Sequence, residues 1–162
     1  MKELTIKTLT VKDLPEIVKL TKFLNPEMDL DLLLQRQAEM FSFQNHICLG
    51  CYRGDALVAL SSGWITVRLY SGKQLEIDNV IVNPDKQGKG VGAVFLSQIE
   101  AWARENHCLS VELNAYVDND RAHKFYFREQ YKILGFHFRK LLSKGSKTET
   151  SHGCFTGSTD SF

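Results

Sequence analysis

Hydrophobic and polar positions follow two periods along this chain. Apolar and polar residues alternate, as expected of strands, at 1–9, 46–52, 56–69, 75–82, 109–117 and 131–142. Apolar residues recur every three or four positions, as expected of amphipathic helices, at 13–25, 28–41, 91–105 and 118–129. This succession of strands and helices predicts an α/β fold.

The connections between these elements predict how the strands pair. The strands at 46–52, 56–69 and 75–82 are joined by short turns that contain glycine, so we expect them to be antiparallel. The strand at 109–117 is reached through a helix, and a strand, crossover and strand lie parallel in one sheet. The sequence therefore predicts a mixed, mostly antiparallel sheet with a parallel pair of strands, flanked by helices.

Candidate chemistry is concentrated between residues 75 and 102, which read as a buried strand, a glycine-rich turn and an amphipathic helix. The strand should end at Asn83-Pro84, because proline disfavours helix at the preceding residue and cannot donate to a strand ladder. The helix should bury one face and turn Gln98 toward solvent. The apolar residues that define this predicted buried face are Val91, Val94, Phe95, Ile99 and Trp102.

The glycine-rich turn spans residues 87–92, with the sequence Gln-Gly-Lys-Gly-Val-Gly. It lies where the first amides of a helix have no intrahelical acceptor, and these amides attract an anion together with the helix dipole. Glycine lacks the Cβ atom that would hold a ligand off the backbone, and Lys89 adds a positive charge. The turn therefore predicts a site that grips a pyrophosphate through main-chain amides.

The same glycines also satisfy the dinucleotide-binding pattern G-x-G-x-x-G/A over residues 88–93. Three features disfavour that interpretation. The glycines follow the strand only after a five-residue spacer, the sequence before the strand is itself strand-like, and too little chain follows for a doubly wound sheet. A P-loop is excluded, since no G-x4-G-K-[ST] occurs.

Two motifs carry a resemblance to a known family. Val82-x4-Gln87-x2-Gly90-x-Gly92 resembles the acyl-CoA-binding signature of the GNAT superfamily of N-acetyltransferases. Asn119-x-x-Ala122-x-x-Phe125-Tyr126 is similar to the second hallmark of that family, and with the helix start at 10–15 the resemblance spans residues 4–142. The chain departs from the family at Gln130, where members carry the glycine that ends this helix.

The resemblance implies the GNAT fold, with a central parallel strand pair that splays apart, and acetyl-CoA as co-substrate. The backbone of Val80, Ile81 and Val82 would pair with the pantetheine arm, and Asn119 would hold the arm near its thiol. Tyr126 would protonate the departing thiolate, since a pKa of about 10 keeps a tyrosine protonated at neutral pH. The residues implied for the pyrophosphate are Gln87, Gly88, Lys89, Gly90, Val91, Gly92 and Ala93.

Acetyl transfer also needs a group that takes a proton from the acceptor, because an ammonium with a pKa of about 10 cannot attack a thioester. Glu76 matches the position of the base in histone-acetylating members, and Asp78 lies two residues further along the same nominal strand face. Other members use an acid at the position of Asn114, which cannot serve here. Glu76, Asp78 and a water molecule remain the alternatives.

Composition sets the broader class. The 162 residues, 43% of them hydrophobic and 24% charged, predict one domain at 1–142 and a tail at 143–162 rich in Gly, Ser, Thr and Lys. A net charge of +1 argues against a nucleic-acid partner, and no apolar run is long enough to cross a membrane. The charged amino terminus does not resemble a signal peptide, so we expect a cytoplasmic protein.

The cysteines do not predict a metal site. Cys48-x-x-Cys51 lies in a predicted strand, where residues three apart face opposite ways, and no second pair completes a zinc site. We therefore expect no metal cofactor.

Together these features predict an N-acetyltransferase that moves an acetyl group from acetyl-CoA to a primary amine by direct attack in a ternary complex. A small cationic molecule is the first candidate acceptor, and a protein amino group, N-terminal or lysine, is the alternative. A non-catalytic acyl-CoA-binding sensor is the alternative from another class. A homodimer is among the assemblies that the resemblance allows.

Overall fold

A five-stranded mixed sheet forms the centre of residues 3–142, the part of the chain that the computed structural model describes. The strands are β1 (Leu4–Thr8), β2 (His46–Arg53), β3 (Ala56–Arg68), β4 (Gly72–Val82) and β5 (Ser110–Leu113). The α-helices are α1 (Leu14–Thr21), α2 (Leu30–Phe41), α3 (Val91–Glu105) and α4 (Asp120–Arg128), and single 3₁₀ turns cover Val11–Asp13 and Pro84–Lys86. The predicted tail at 143–162 lies outside the described residues.

The strand order across the sheet is β1-β2-β3-β4-β5, so every strand neighbours the strand that follows it in sequence. The first four strands are antiparallel, and β4 and β5 are parallel, with residues 74–77 opposite 110–113. The predicted mixed sheet with one parallel pair is therefore confirmed. None of the helices between residues 3 and 142 has the length and apolarity needed to cross a bilayer.

The two faces of the sheet bury separate apolar clusters, as strand alternation requires. On β2, Ile47 and Leu49 pack with α3, whereas Cys48 and Tyr52 pack with α1. In α3, Phe95 and Ile99 are fully buried, so truncating either of them to alanine is expected to cost roughly 2 to 5 kcal/mol of stability. The sheet is thus held between two helical layers.

A β-bulge interrupts β4 near its carboxyl end. The register with β3 shifts so that Asn79 and Val80 together lie opposite Ser61. Asn79 has a φ of 50°, and its Nδ2 atom donates to Ser62 Oγ at 2.8 Å. Because of the extra residue, the side chains that face α3 change from odd to even positions along β4. Leu75 and Ile77 face α3 before the bulge, and Val80 and Val82 face it after the bulge.

The predicted buried face of α3 is partly wrong. Val94 is 45% exposed, whereas Leu96 and Ala103 are buried. Gln98 does not point into solvent: its Nε2 atom donates to the Leu4 carbonyl at 2.8 Å. The apolar stripe lies further around the helix than the sequence predicted, because α3 also crosses β1.

Two predicted strands form only in part or not at all. The strand expected at 109–117 forms only over Ser110–Leu113, and the one expected at 131–142 has no strand partner between residues 3 and 142. Helix α4 ends in a Schellman arrangement, in which the amides of Gln130 and Tyr131 donate to the carbonyls of Phe127 and Tyr126. Gln130 adopts a left-handed φ of 68°, so a glutamine where the resemblance implies a glycine strains this helix end.

Candidate active site

The candidate active site begins where β4 and β5 separate. Pairing between them ends at Ile77 and Leu113, and within the described chain β4 has no partner on that side beyond Ile77. On its other side β4 stays paired with β3 as far as Val82. The result is a slot in which unpaired backbone groups of β4 are available to an extended ligand.

The glycine-rich turn closes one end of this slot. Gly88 and Gly90 have φ values of 70° and 74°, and a Cβ atom on either would meet nothing within 4 Å. Gly90 is the N-cap of α3 and no side chain caps the helix, so its first amides open toward the slot. At Gly92 a Cβ would lie 3.6 Å from the Phe125 ring and 3.7 Å from Val82, which reflects close packing of α3 against both α4 and β4.

Other residues of the turn have structural contacts of their own. The Gln87 side chain holds the turn against the strand, because its Nε2 atom donates to the Val82 carbonyl at 2.9 Å. Val91 is buried in the core, which leaves only its backbone for a ligand, and Lys89 is exposed. Of the predicted pantetheine partners, Ile81 and Val82 have buried side chains, so these residues too could offer only backbone atoms.

A groove of about 460 Å³ connects the turn to α4. Three basic residues of α4 line it, namely Arg121, Lys124 and Arg128, and the sequence analysis missed them. Their spacing of three and four residues places them on one helix face, which was a readable signal. The full lining consists of Val82, Gln87, Gly88, Gly90, Gly92, Ala93, Arg121, Lys124, Phe125 and Arg128. A wall of left-handed glycines facing three cations fits a polyphosphate ligand.

Tyr126 lies on α4, packed between two aromatic rings. Its ring centroid is 5.2 Å from that of Phe125 and 5.7 Å from that of Tyr131. Burial, and then the negative charge of Asp78, raise the pKa of Tyr126 to about 12. The hydroxyl therefore carries its proton throughout the physiological range.

Asn119 is the N-cap of α4, since its Oδ1 atom accepts from the amide of Ala122 at 3.0 Å. The helix predicted at 118–129 is confirmed, and it begins one residue after this cap. The cap fixes the first turn of α4 and thereby the direction in which Tyr126 is presented. The role of Asn119 at the thiol stays a prediction.

Four residues align across four strands on the sheet face opposite α3, and we call them the acceptor row: His46, Trp64, Glu76 and Glu112. Each is the direct cross-strand partner of the next. Glu76 accepts from Asn114 Nδ2 at 3.2 Å and pairs with Arg68 at 3.5 Å. Glu112 accepts from Gln74 Nε2 at 3.1 Å. Two carboxylates therefore lie side by side at the point where β4 and β5 separate.

The other half of the acceptor row is aromatic. The His46 ring is 5.0 Å from the Trp64 ring and 5.1 Å from the Phe41 ring, in an edge-on contact with Phe41. Both ring nitrogens of His46 are buried without a hydrogen-bond partner among the described residues. Burial lowers the pKa of His46, so the ring is neutral at pH 7. The sequence analysis missed His46, Trp64 and Glu112 as site residues.

The two predicted base candidates differ in their surroundings. Glu76 is half-buried and held by two partners, whereas Asp78 is exposed and accepts from the neighbouring Asn79 amide at 2.8 Å. Asp78 is the carboxylate whose charge reaches Tyr126, and Glu76 is the one beside Glu112. The structure therefore brings the candidates to different parts of the slot.

No metal-binding site is evident among the described residues. Between residues 3 and 142 no group of three or more His, Cys, Asp or Glu side chains is arranged to hold an ion. Cys48 and Cys51 belong to the clusters on opposite sheet faces, as predicted. Burial raises their pKa values to about 12 and about 11, which keeps both thiols protonated.

Comparison with known proteins points to one family. The sequence model of the acetyltransferase (GNAT) family matches residues 14–131. The chain is 26% identical over 141 residues, 86% of its length and 96% of the relative's, to an uncharacterised N-acetyltransferase, YhdJ, of Bacillus subtilis. It is 25% identical over 122 residues, 73% of its length and 80% of the relative's, to an aminoglycoside N(6')-acetyltransferase of Acinetobacter genomosp. 13.

A solved structure shares the fold. The structure of AAC(6')-Iy in complex with the bisubstrate analogue CoA-S-monomethyl-acetylneamine superposes with a TM-score of 0.72 at 14% identity. The superposition covers 86% of this chain and 99% of the other.

Proposed function

This chain belongs to the GNAT family of acetyltransferases, and on that premise we propose that it transfers an acetyl group from acetyl-CoA to a primary amine of a small cationic molecule. The observation that carries the choice of acceptor is the side-by-side placement of Glu76 and Glu112 where β4 and β5 separate. The amine would attack directly, with both substrates bound at once.

The donor half of the proposal rests on the groove. The left-handed glycines and the open amides of α3 suit the pyrophosphate, and the basic face of α4 suits the remaining phosphate charge. The unpaired backbone of β4, with Val80, Ile81 and Val82, suits an extended amide-bearing chain such as pantetheine. These three features lie along one continuous path from the turn to the slot.

The acceptor half rests on charge and aromaticity. An ammonium group is attracted by carboxylates, and a cation also binds well over an indole face. Glu76 and Glu112 supply the first kind of partner and Trp64 supplies the second, all within one row of the sheet. An aminoglycoside acetyltransferase is among the relatives, and its acceptor is of this chemical class.

Proton transfers can be assigned to residues that flank the slot. Glu76 is the candidate base, because it belongs to the acceptor row that would bind the ammonium. Tyr126, with its pKa of about 12, would face the departing sulfur as a hydrogen-bond donor. Because a thiol has a pKa of only about 8.5, transfer of the Tyr126 proton to the thiolate is uphill, so we assign Tyr126 to stabilising the developing thiolate through a hydrogen bond.

The test is a screen for thiol release from acetyl-CoA with matched acceptors: aminoglycosides, polyamines, neutral primary amines and lysine peptides. The proposal expects turnover that rises with the positive charge of the small acceptor. Faster turnover of lysine peptides than of small amines would support a protein acceptor in place of a small molecule. Tight CoA binding with no turnover of any amine would support an acyl-CoA sensor in place of an enzyme.

A further inference from the structure

The two carboxylates of the acceptor row differ in what balances their charge. Glu76 Oε2 lies 3.5 Å from Arg68 Nη2, so a cation already faces Glu76. Glu112 has no ion pair with any residue between 3 and 142, and the donors that it accepts from are neutral. They are the amide of Gln74 at 3.1 Å and the hydroxyl of Ser110 at 3.4 Å. The negative charge of Glu112 is therefore the one in the row that lacks a counter-charge within the described chain.

Gln74 is the buried partner of Glu112. It lies two residues before Glu76 on β4, hence on the same sheet face as the acceptor row, and it has no exposed surface. It is directly opposite Ser110 on β5, which makes Glu112 its diagonal cross-strand neighbour. Both polar atoms of its side chain are bonded, since Oε1 accepts from Ser71 Oγ at 2.8 Å and Nε2 donates to Glu112. The amide is thus held at both ends.

The two partners also fix the direction of the Gln74 amide. A carboxylate has lone pairs and no proton, so it requires the nitrogen side of the amide. The hydroxyl of Ser71, in the turn between β3 and β4, supplies the proton that the amide oxygen accepts. A reversed amide would place its oxygen against a carboxylate oxygen, with no proton between them. Ser71, Gln74 and Glu112 therefore form one hydrogen-bonded chain that ends on the carboxylate.

Stability alone does not explain a glutamine at this position. The neighbouring buried residues of β4, Leu75 and Ile77, are apolar. Burying an amide costs free energy, and a complete set of hydrogen bonds does little more than offset that cost. An apolar side chain of similar size would therefore serve the core about as well. What the amide adds is a fixed donor behind a half-buried carboxylate, and such support is what holds a binding group in one geometry.

We propose that Gln74 is a positioning residue for the acceptor: it fixes the carboxylate of Glu112 as the group that receives the acceptor's positive charge, and so leaves Glu76 to take the proton. This inference rests on the proposed transfer to a cationic amine. Glu76 and Glu112 are directly opposite on neighbouring strands, which lie about 4.8 Å apart. An ammonium group bound by Glu112 is therefore within reach of Glu76.

This division of roles accounts for the two like charges in the row. Carboxylates directly opposite each other on neighbouring strands repel and destabilise a sheet. Arg68 balances the charge of Glu76, whereas the charge of Glu112 is balanced only when a cation binds. The bond from Gln74 keeps Glu112 from turning away from Glu76 to relieve the repulsion. The row is thus organised for a cation before the acceptor arrives, which lowers the cost of binding it.

Steady-state kinetics at saturating acetyl-CoA test the inference. Gln74→Met keeps the length of the side chain and removes the amide, so KM for a cationic acceptor should rise about three- to tenfold while kcat stays within about twofold. In a Glu112→Gln background the same change should add nothing, because its effect passes through Glu112. Gln98→Met, which removes an amide bonded to the Leu4 carbonyl on the other sheet face, should leave KM unchanged. Additive increases, or equal increases for neutral amines, would overturn the inference.

Binding of a simple cation, without acetyl-CoA, separates this inference from the proposed function. The carboxyl ¹³C signal of Glu112 in the full chain should respond to n-butylamine, which is protonated at neutral pH, and not to n-butanol.

The Kd for n-butylamine should rise about three- to tenfold in Gln74→Met. Ser71→Ala, which frees the amide to turn, should raise it about twofold and decides the matter if Gln74→Met does not fold. If these shifts appear but no amine is acetylated, only the proposed function fails. A signal that does not respond in the parent, or a Kd unchanged by the variants, would overturn the inference.

Discussion

The two sides of the slot are built in different ways. On the donor side, residues 82–93 form a continuous strand, turn and helix start, and most of what they offer is backbone. On the acceptor side, four side chains from four strands are brought into line by pairing alone. The donor side therefore depends on local conformation, whereas the acceptor side depends on the register of the whole sheet.

This difference fits the two substrates of the proposed reaction. Acetyl-CoA is the same molecule for every family member, and a backbone site is insensitive to side-chain change. An acceptor differs from enzyme to enzyme, and side chains in a row can change one at a time without altering the fold. We expect substitutions on the two sides to separate binding of the donor from selection of the acceptor.

The largest effect is expected at Tyr126, which the proposal assigns to the departing sulfur. Tyr126→Phe keeps the ring and removes the hydroxyl, so turnover should fall by about 10² to 10⁴ while CoA affinity stays within a few-fold. Because the pKa of Tyr126 is about 12, the parent rate should show no alkaline decline from this group below about pH 10. Rates at saturating acetyl-CoA and CoA titrations check both statements.

Tyr131→Phe is the matched control, since it removes a hydroxyl whose partner is Glu100, away from the slot. Its rate should equal that of the parent. A parent-like rate in Tyr126→Phe would remove Tyr126 from the catalytic step.

The next effect isolates the donor side. Gly90→Val places a branched side chain at a φ of 74° where the pyrophosphate is proposed to lie. Losing one or two charge-assisted amide contacts should weaken CoA binding by about 10- to 100-fold. In the parent, we expect saturating acetyl-CoA to raise the thermal midpoint by about 5 to 10 °C. In Gly90→Val most of this rise should be lost at the same acetyl-CoA concentration.

Gly54→Val shares the backbone strain, with a φ of 64°, but lies in the β2–β3 turn. It should lower the midpoint of the unliganded protein and keep the response to acetyl-CoA. If Gly90→Val also kept that response, the glycine turn would not be the phosphate site.

A smaller effect should isolate the acceptor side. Glu112→Gln keeps the shape of the side chain and removes one negative charge beside Glu76, so KM for a cationic acceptor should rise about three- to tenfold. CoA affinity should stay unchanged, and KM for a neutral amine should move much less. Glu105→Gln, an exposed position at the end of α3, is the control for net charge. Equal increases in KM for cationic and neutral acceptors would contradict the proposed role of the acceptor row.

The smallest effect concerns His46, whose pKa is lowered by burial from the ordinary 6.5. Below pH 6.5 the unfolded chain takes up a proton at this position more readily than the folded one, so stability falls as pH falls through that range. His46→Gln should remove this part of the acid sensitivity, and the exposed His107→Asn should not. Thermal midpoints between pH 5 and 8 measure the difference. An unchanged pH dependence in His46→Gln would mean that the ring is not held neutral.

Local signals account for what the sequence could predict. Proline at 84, the alternating glycines and the helical period after Val91 each act within a few residues, and together they specified the β4–turn–α3 unit. The basic face of α4 had a readable spacing at 121, 124 and 128, but its meaning required knowing that α4 borders the groove.

The features that the sequence could not predict depend on pairing between distant strands. The acceptor row needs the register between strands up to about 66 positions apart in sequence, which periodicity does not encode. The predicted strand at 131–142 shows the same limit: its alternation indicates a strand but does not specify which edge that strand pairs with. The bulge did leave a local signal, because the polar pair Asp78-Asn79 interrupts the alternation of β4 and the apolar positions shift from 75 and 77 to 80 and 82.

That bulge makes Asn79 a residue that β4 can lose without a change in the direction of its neighbours. With Asn79 deleted, Val80 alone would lie opposite Ser61, so Val80 and Val82 would still face α3 and Ile81 would still face α1. A residue inserted between Val80 and Ile81 would instead turn Ile81 toward α3 and Val82 away from it. Across a library of variants, the donor site should therefore accept a deletion at 79 and apolar substitutions at 80–82, but no insertion there.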